Sequence, residues 1–304
     1  IQINGTDSVV QNITIRDNTM HNAHTNGISG NTGIAITAGG AGSNYTVNYN
    51  IEGNSIRGLE GSAIFLNHLG TAGTVRGTIL NNTIGNNNGV HNELQADTGS
   101  NGGGNGISIG LEHDANNGNL THAVRIQGNN IGDITGGAGI ALRSNGDGFA
   151  GAGLTRLEAT IIGNTIDEFG PNAYAGINAQ IGGAGANDDG LMGLNIEGNT
   201  INLTGGTNMV AGIIWDDLAA NAQFYFPGFA GPYDDTGLGN FHTGPEGNTI
   251  TTAGTFARPA FCAARHRRSA SGPRIAAYSG PHSARAQRAS VVIRRSSSSV
   301  RGYV

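Results

Sequence analysis

Three adjacent acidic pairs stand out in a chain with few charges: Asp188–Asp189 in NDDG, Asp216–Asp217 in WDDL and Asp234–Asp235 in YDDT. Paired carboxylates suit sugar hydrolysis, where one protonates the leaving oxygen and the other serves as base or nucleophile. The stretch IIWDDLAANAQFYFPGF (213–229) adds Trp215, Phe224, Tyr225, Phe226 and Phe229, with Tyr233 just beyond it. Aromatic faces can stack on sugar rings, so Trp215, Tyr225 and Tyr233 are candidate ligand contacts beside Asp216 and Asp217. If Ile213 and Trp215 alternate in phase on a strand, the two acids fall at its end or on the following loop. The plainer reading has greater weight: a loop that folds over its own domain, buries its aromatics and leaves the acids in water.

The other polar clusters are weaker. LEHDANN (111–117) gathers Glu112, His113 and Asp114, but neighbours on a strand alternate faces, so the three cannot all meet one metal ion. HNAH (21–24) reads as solvated loop histidines. GGAGANDDG (182–190) resembles a single turn of a calcium-binding nonapeptide repeat, with Asn187, Asp188 and Asp189 as candidate oxygen ligands. Such sites draw oxygens from successive turns, so one copy is a weak calcium signal, and no other cofactor is implied. No phosphate loop, dinucleotide fingerprint or serine-elbow motif occurs.

Composition restricts the elements that could position these residues. Glycine accounts for 53 of 304 residues and aromatics for 6%, yet hydrophobic content is 37%, enough for a core. A single Cys excludes an internal disulfide framework, and no apolar run is long enough to span a membrane. Charge splits the chain. Residues 1–254 hold all 21 acids against six Arg, a formal −15, whereas residues 255–304 hold ten Arg and no acid. That basic Arg/Ser/Ala-rich tail lacks any nucleic-acid motif, so no nucleic-acid partner is expected. Its bias reads as a disordered extension or as a GC-rich gene translated out of frame. The chain opens on Ile without a signal peptide, which reads as a fragment of a longer protein.

Within residues 1–254 a repeat organises everything. IRDNTM (15–20), IEGNSI (51–56), ILNNTI (79–84), IQGNNI (126–131), IIGNTI (161–166) and IEGNTI (196–201) are six copies, and PEGNTI (245–250) is a degenerate seventh. The shared Asn is Asn18, Asn54, Asn82, Asn129, Asn164, Asn199 and Asn248. The two flanking apolar residues lie five positions apart, so a straight strand would send them to opposite faces. Both point inward only if the chain turns at the Asn, a residue that tolerates left-handed angles and can hydrogen-bond its own turn. A second apolar figure follows each corner: GIAI (33–36), AIFL (63–66), GISI (106–109), GIAL (139–142), GINA (176–179) and GIIW (212–215). The unit is therefore strand, Asn corner, strand, Gly-rich turn, strand and variable polar loop. Stacked units would pile the Asn residues into a ladder inside a parallel β-solenoid of irregular coils. Raw strand edges at either end of such a stack invite aggregation unless capped. No regular Thr rank of the kind a lattice-binding face needs is read from the chain.

These figures resemble the right-handed parallel β-helix superfamily, the pectin-lyase-like fold, in the form found in secreted and surface proteins of bacteria, including autotransporter passengers. The resemblance covers roughly residues 9–254. It implies an all-β solenoid, an extracellular or bacterial cell-surface location, glycans or cell-surface ligands as partners, and stacking on further coils of the parent chain. The superfamily holds both polysaccharide-degrading enzymes and non-catalytic adhesins. The Gly-His-Gly and Arg-Ile-Lys elements of the polygalacturonase-like pattern are missing; the nearest stretch is RIQ at 125–127, with Arg125 expected to point into solvent. A body at −15 also opposes an anionic substrate. The expectation is thus a structural, adhesin-like solenoid with no assigned catalytic residue. The alternative is a polysaccharide lyase or glycoside hydrolase using acids between 216 and 235.

Overall fold

A two-residue corner decides the architecture. In the computed structural model the described residues are 1–5, 10–21, 32–39, 44–70, 72–85, 104–113, 119–145, 155–170, 172–182, 190–203, 211–217, 222–229, 240 and 242–251, with short strands at 261–263, 274–277 and 291–294. Each coil contributes one strand to each of three sheets. Sheet A holds β1 (Gln2–Gly5), β4 (Ile34–Ala38), β7 (Ile64–Gly70), β10 (Ile107–His113), β13 (Ala138–Asn145), β16 (Ala175–Ile181) and β19 (Ala211–Asp217). Sheet B holds β2 (Val10–Arg16), β5 (Asn44–Glu52), β8 (Ala72–Leu80), β11 (Leu120–Gln127), β14 (Thr155–Ile162), β17 (Gly190–Glu197) and β20 (Gln223–Tyr225). Sheet C holds β3 (Thr19–His21), β6 (Ser55–Arg57), β9 (Thr83–Ile84), β12 (Asn130–Ile131), β15 (Thr165–Ile166), β18 (Thr200–Asn202) and β21 (Thr249–Thr251). Every pairing within this body is parallel, and the whole is a right-handed parallel β-helix.

The expected inward turn of both flanking isoleucines is observed: Ile51 and Ile56, Ile126 and Ile131, and Ile161 and Ile166 are all fully buried. Parallel register then piles like on like. Ile15, Ile51, Ile79, Ile126, Ile161 and Ile196 form one column down sheet B. Ile56, Ile84, Ile131, Ile166 and Ile201 form another down sheet C. Each such side chain removed from water contributes on the order of 2 kcal/mol, which lets coils cohere although none has a core of its own.

The corner differs from the sequence expectation in one respect. The left-handed angle belongs to the residue before the Asn: Asp17, Gly53, Asn81, Gly128, Gly163, Gly198 and Gly247 all have φ between 53° and 67°. That twist leaves the Asn itself free to turn inward. The Nδ2 of Asn18, Asn54, Asn129, Asn164 and Asn199 donates to the carbonyl two residues back and to the Oδ1 of the next Asn, as in Asn129 to Gln127 O at 3.2 Å and to Asn164 Oδ1 at 2.9 Å. The ladder runs unbroken from Asn18 through Asn54, Asn82, Asn129, Asn164 and Asn199 to Asn248.

A second difference concerns threonine. The residue after each corner Asn faces outward on sheet C, and the register aligns Thr19, Ser55, Thr83, Asn130, Thr165, Thr200 and Thr249 in one rank. The rank arises because the ladder fixes the register of the adjoining residue. It is one residue wide, since the next outward position carries unrelated residues such as Arg57, Asp167 and Asn202.

Beyond the body, β22 (Phe261–Ala263) continues sheet A in parallel, while β23 (Arg274–Ala277) and β24 (Val291–Arg294) form an antiparallel pair at the edge of sheet B.

Candidate functional site

The outer face of sheet A carries a concavity. Alternation puts one side chain in two on that face, and register sorts them into ranks along the solenoid axis. One rank reads Phe65, Ser108, Ala141, Asn178 and Ile214; its neighbour reads Asn67, Gly110, Arg143, Gln180 and Asp216. Larger residues on β7 and β16 therefore flank Ser108, Gly110 and Ala141 on β10 and β13. The result is a trough of about 320 Å³, floored by Ser108, Gly110 and Ala141. Phe65 and Asn67 form one wall, and Tyr174, Asn178 and Gln180 the other. Exposed Glu112 and Arg143 stand at its rim.

Two side-chain oxygens of lining residues are shielded from solvent and have no hydrogen-bond partner among the described residues. Asn145 is 6% exposed, and its Oδ1 has no hydrogen-bond partner. Asn178 holds the Tyr174 hydroxyl through Nδ2 at 3.3 Å, which leaves its own buried Oδ1 without a donor. Burial pushes the Tyr174 hydroxyl pKa up, so it stays a neutral donor and acceptor at ordinary pH. Asn105 at the lip is already used, accepting the Ala138 amide at 2.9 Å.

The sequence candidates are dispersed around this site. Asp216 lies half-buried on the outer face of β19, next to Gln180 and past the end of the trough. Asp217 closes the same strand. Trp215 points the opposite way into the tube, where it stacks on His242 at 4.8 Å and meets the edge of Phe226 at 6.0 Å. Phe224, Phe226 and Phe229 are buried with it, while Tyr225 is half-buried on β20. These rings plug the last coil. Asp188, Asp189, Asn187, Tyr233, Asp234, Asp235, Asp114 and His24 lie outside the described residues. Arg125 is exposed, as its alternation predicts, with Nε donating to Gln127 Oε1 at 2.6 Å.

The outward acids of sheet A, Glu112 and Asp216, do not form a hydrolytic pair. Three strand spacings separate β10 from β19, about 14 Å of backbone, against the roughly 5–9.5 Å between carboxyl groups that the two glycosidase geometries require. The close pair of His242 and Glu246 is buried inside the cap. Burial raises the Glu246 carboxyl, and contact with His242 offsets part of that rise. The pair also ends the ladder, because Asn248 N finds His242 O at 2.9 Å in place of a further Asn. Its work is to close a coil. No three His, Cys, Asp or Glu side chains converge as metal ligands among the described residues.

Sequence reasoning missed the trough because its floor and walls come from four strands whose alignment depends on loops of unequal length. The available signal was faint: GISIG and GIALR place Ser108, Gly110 and Ala141 at outward positions of consecutive coils. No helix among the described residues is long and apolar enough to cross a membrane. No protein-family model matches the chain, and neither a curated protein nor a solved structure matches it, so the fold and the trough stand as this chain's own evidence.

Proposed function

We propose that this protein is an extracellular, bacterial-surface type of β-solenoid with a structural and adhesive role, of the pectin-lyase-like superfamily, presenting its loops and the outer face of sheet A to glycans or other cell-surface ligands. One observation carries the reading: the corner between sheets B and C is constant through the first six coils, while the connections between sheets C and A vary widely in length. Between sheets B and C the connection is the two-residue corner in each of the first six coils, as at 53–54, 128–129 and 163–164, and lengthens in the seventh to 226–248. Between sheets C and A it is 132–137 in one coil and 85–106 in another. A solenoid with a nearly constant corner and variable loops on its flank is suited to display. The body's −15 charge favours an uncharged ligand over a polyanion.

The test offers the full chain immobilised neutral and acidic polysaccharides, and intact bacterial and epithelial cells. Retention is measured together with release of reducing ends and unsaturated sugars. The expected result is retention without product. Turnover of any polysaccharide, or retention on none of these surfaces, would remove the proposal.

A further inference from the structure

We propose that Asn12, Asn44, Asn81 and Asn119 are acceptor sites for N-linked glycosylation. The inference goes beyond the adhesive reading and rests only on its extracellular part. The motif is Asn-x-Thr with x other than Pro, and it occurs as NIT (12–14), NYT (44–46), NNT (81–83) and NLT (119–121). Two further copies, NGT (4–6) and NLT (202–204), have their Thr outside the described residues and are set aside.

Asparagine is abundant in this chain, so the weight falls on where the fold puts each triplet. Side chains alternate along a strand, so an Asn and a Thr two positions apart share a face and the residue between them takes the other. In every copy the middle residue turns inward: Tyr45, Asn82 and Leu120 are buried, and Ile13 packs against the core. Asn12, Asn44, Asn81 and Asn119 are all exposed. Asn12 and Asn44 lie on β2 and β5, Asn119 immediately precedes β11, and Asn81 holds the left-handed corner position at φ 53°. Asn12 Oδ1 accepts from Asn48 Nδ2 at 3.0 Å. Its own Nδ2, the atom that would carry the sugar, is left unbonded among the described residues.

The same geometry keeps the motif away from the ladder. Two positions after each ladder Asn comes the inward Ile or Met of the repeat, where a Thr hydroxyl would sit in the core. Asn54, Asn82, Asn129, Asn164, Asn199 and Asn248 therefore lack the motif, and so does buried Asn145. Sugar added even before folding would spare every ladder side chain. The transfer is a displacement. Asn Nδ2 bonds to the anomeric carbon of a sugar carried on a lipid diphosphate, and the bond from that carbon to the phosphate oxygen breaks. The diphosphate leaves with the electron pair, and the amide gives up one proton. Along sheet B the rank of Asn44 and Ala72 continues to Asn119, two strand spacings or about 10 Å away, which leaves room for two separate glycans. A glycan on Asn12 would also cover Val10, 67% exposed and two positions along the same face. These four sites would clothe sheet B and its corner with sheet C.

The experiment carries the full chain behind a cleavable signal peptide into the secretory pathway of insect cells, whose donor is a lipid-diphosphate oligosaccharide. Peptides from the secreted and the retained protein are mapped by mass spectrometry. Most molecules are expected to bear a glycan at these asparagines, removed by a peptide amidase that leaves Asp in its place. Thr14→Val, Thr46→Val, Thr83→Val and Thr121→Val, made one at a time, should each abolish sugar at their own Asn and leave the other sites unchanged. All four positions face outward, so the melting temperature should not move. Three or four occupied sites support the inference. Two or more bare sites, or sugar that survives its Thr→Val change, overturn it. Occupied sites on a chain that no polysaccharide or cell retains remove the adhesive reading alone. Bare sites on a retained chain remove the glycosylation alone.

Discussion

The Tyr49 hydroxyl shares a hydrogen bond of 2.9 Å with His122 Nε2 inside the tube, although 73 positions separate them in sequence. His68 lies beside them, its ring centroid 6.0 Å from that of His122 and 5.1 Å from that of Tyr45. Burial lowers the His122 pKa to about 3, and burial together with the neighbouring His122 lowers that of His68 to about 2. Both rings are therefore neutral in the folded state.

Stability should fall on acidification, and the sign follows from which state binds the proton. Above the unfolded value of 6.5 neither state protonates these rings. Below it the unfolded chain takes up protons that the fold refuses, so each His costs about 1.4 kcal/mol per pH unit until its folded pKa is reached. Neither nitrogen of His68 has a hydrogen-bond partner, and its neighbour in register is Leu111. His68→Leu should then flatten the decline in denaturant midpoint between pH 6.5 and 4 by about half, with little cost at pH 8. Parallel slopes for wild type and variant would show that His68 is already protonated in the fold.

Asn164 should be worth more than Asn18. Asn164 accepts from the Asn129 amide and Nδ2, and donates to Ile126 O, Ile162 O and Asn199 Oδ1. Replacing it with Ala orphans several buried groups, a loss of about 3 kcal/mol or more. Asn18 heads the ladder, is partly exposed, and its Nδ2 bonds only Arg16 O and Asn54 Oδ1. Asn18→Ala should cost about 1 kcal/mol. Urea denaturation of the two variants measures the difference, and equal costs would show that the ladder's interior has no special role.

Tyr49 and Gly77 are register partners on β5 and β8, and the tyrosine ring occupies the space over the glycine. A Cβ at position 77 would come within 2.4 Å of three ring carbons. Gly77→Ala is expected to destabilise by about 2 kcal/mol. Combined with Tyr49→Val the penalties should fall short of additive by about 1 kcal/mol, since the smaller side chain vacates the site. Strict additivity in a double-mutant cycle would contradict the proximity.

How much of this was legible depended on the distance over which each constraint acts. The inward turn at Asn129 could be read from Ile126 and Ile131, because a spacing of five is incompatible with a straight strand and needs no knowledge of other coils. The left-handed residue was misplaced by one position, although Gly128, Gly163 and Gly198 were in plain view, because Asn can also adopt such angles. The Thr165–Thr200 rank was overlooked for a related reason: it follows from the ladder's register, not from local spacing. Tyr49 over Gly77, and Asn178 across from Phe65, depend on which coil neighbours which. Loops of unequal length conceal that until the corners are aligned.

Trp215 makes the last coil separately observable. It is the one tryptophan in the chain, 3% exposed, stacked on His242 and edged by Phe226. Phe226 has no access to solvent beyond 1% and touches the rings of Trp215, His242 and Phe224. Phe226→Ala should remove about 3–4 kcal/mol from this end, by lost transfer energy and the cavity left behind. Solenoid coils depend mainly on their neighbours, so the loss should stay local. Tryptophan emission should shift red at lower urea than the far-ultraviolet circular dichroism, which reports all three sheets. In the wild type the two midpoints should lie close together, because the cap of His242, Glu246 and the buried rings holds the end coil to the rest. Coincident midpoints in the variant, displaced together, would mean that the solenoid unfolds as one unit and that its cap stabilises every coil equally.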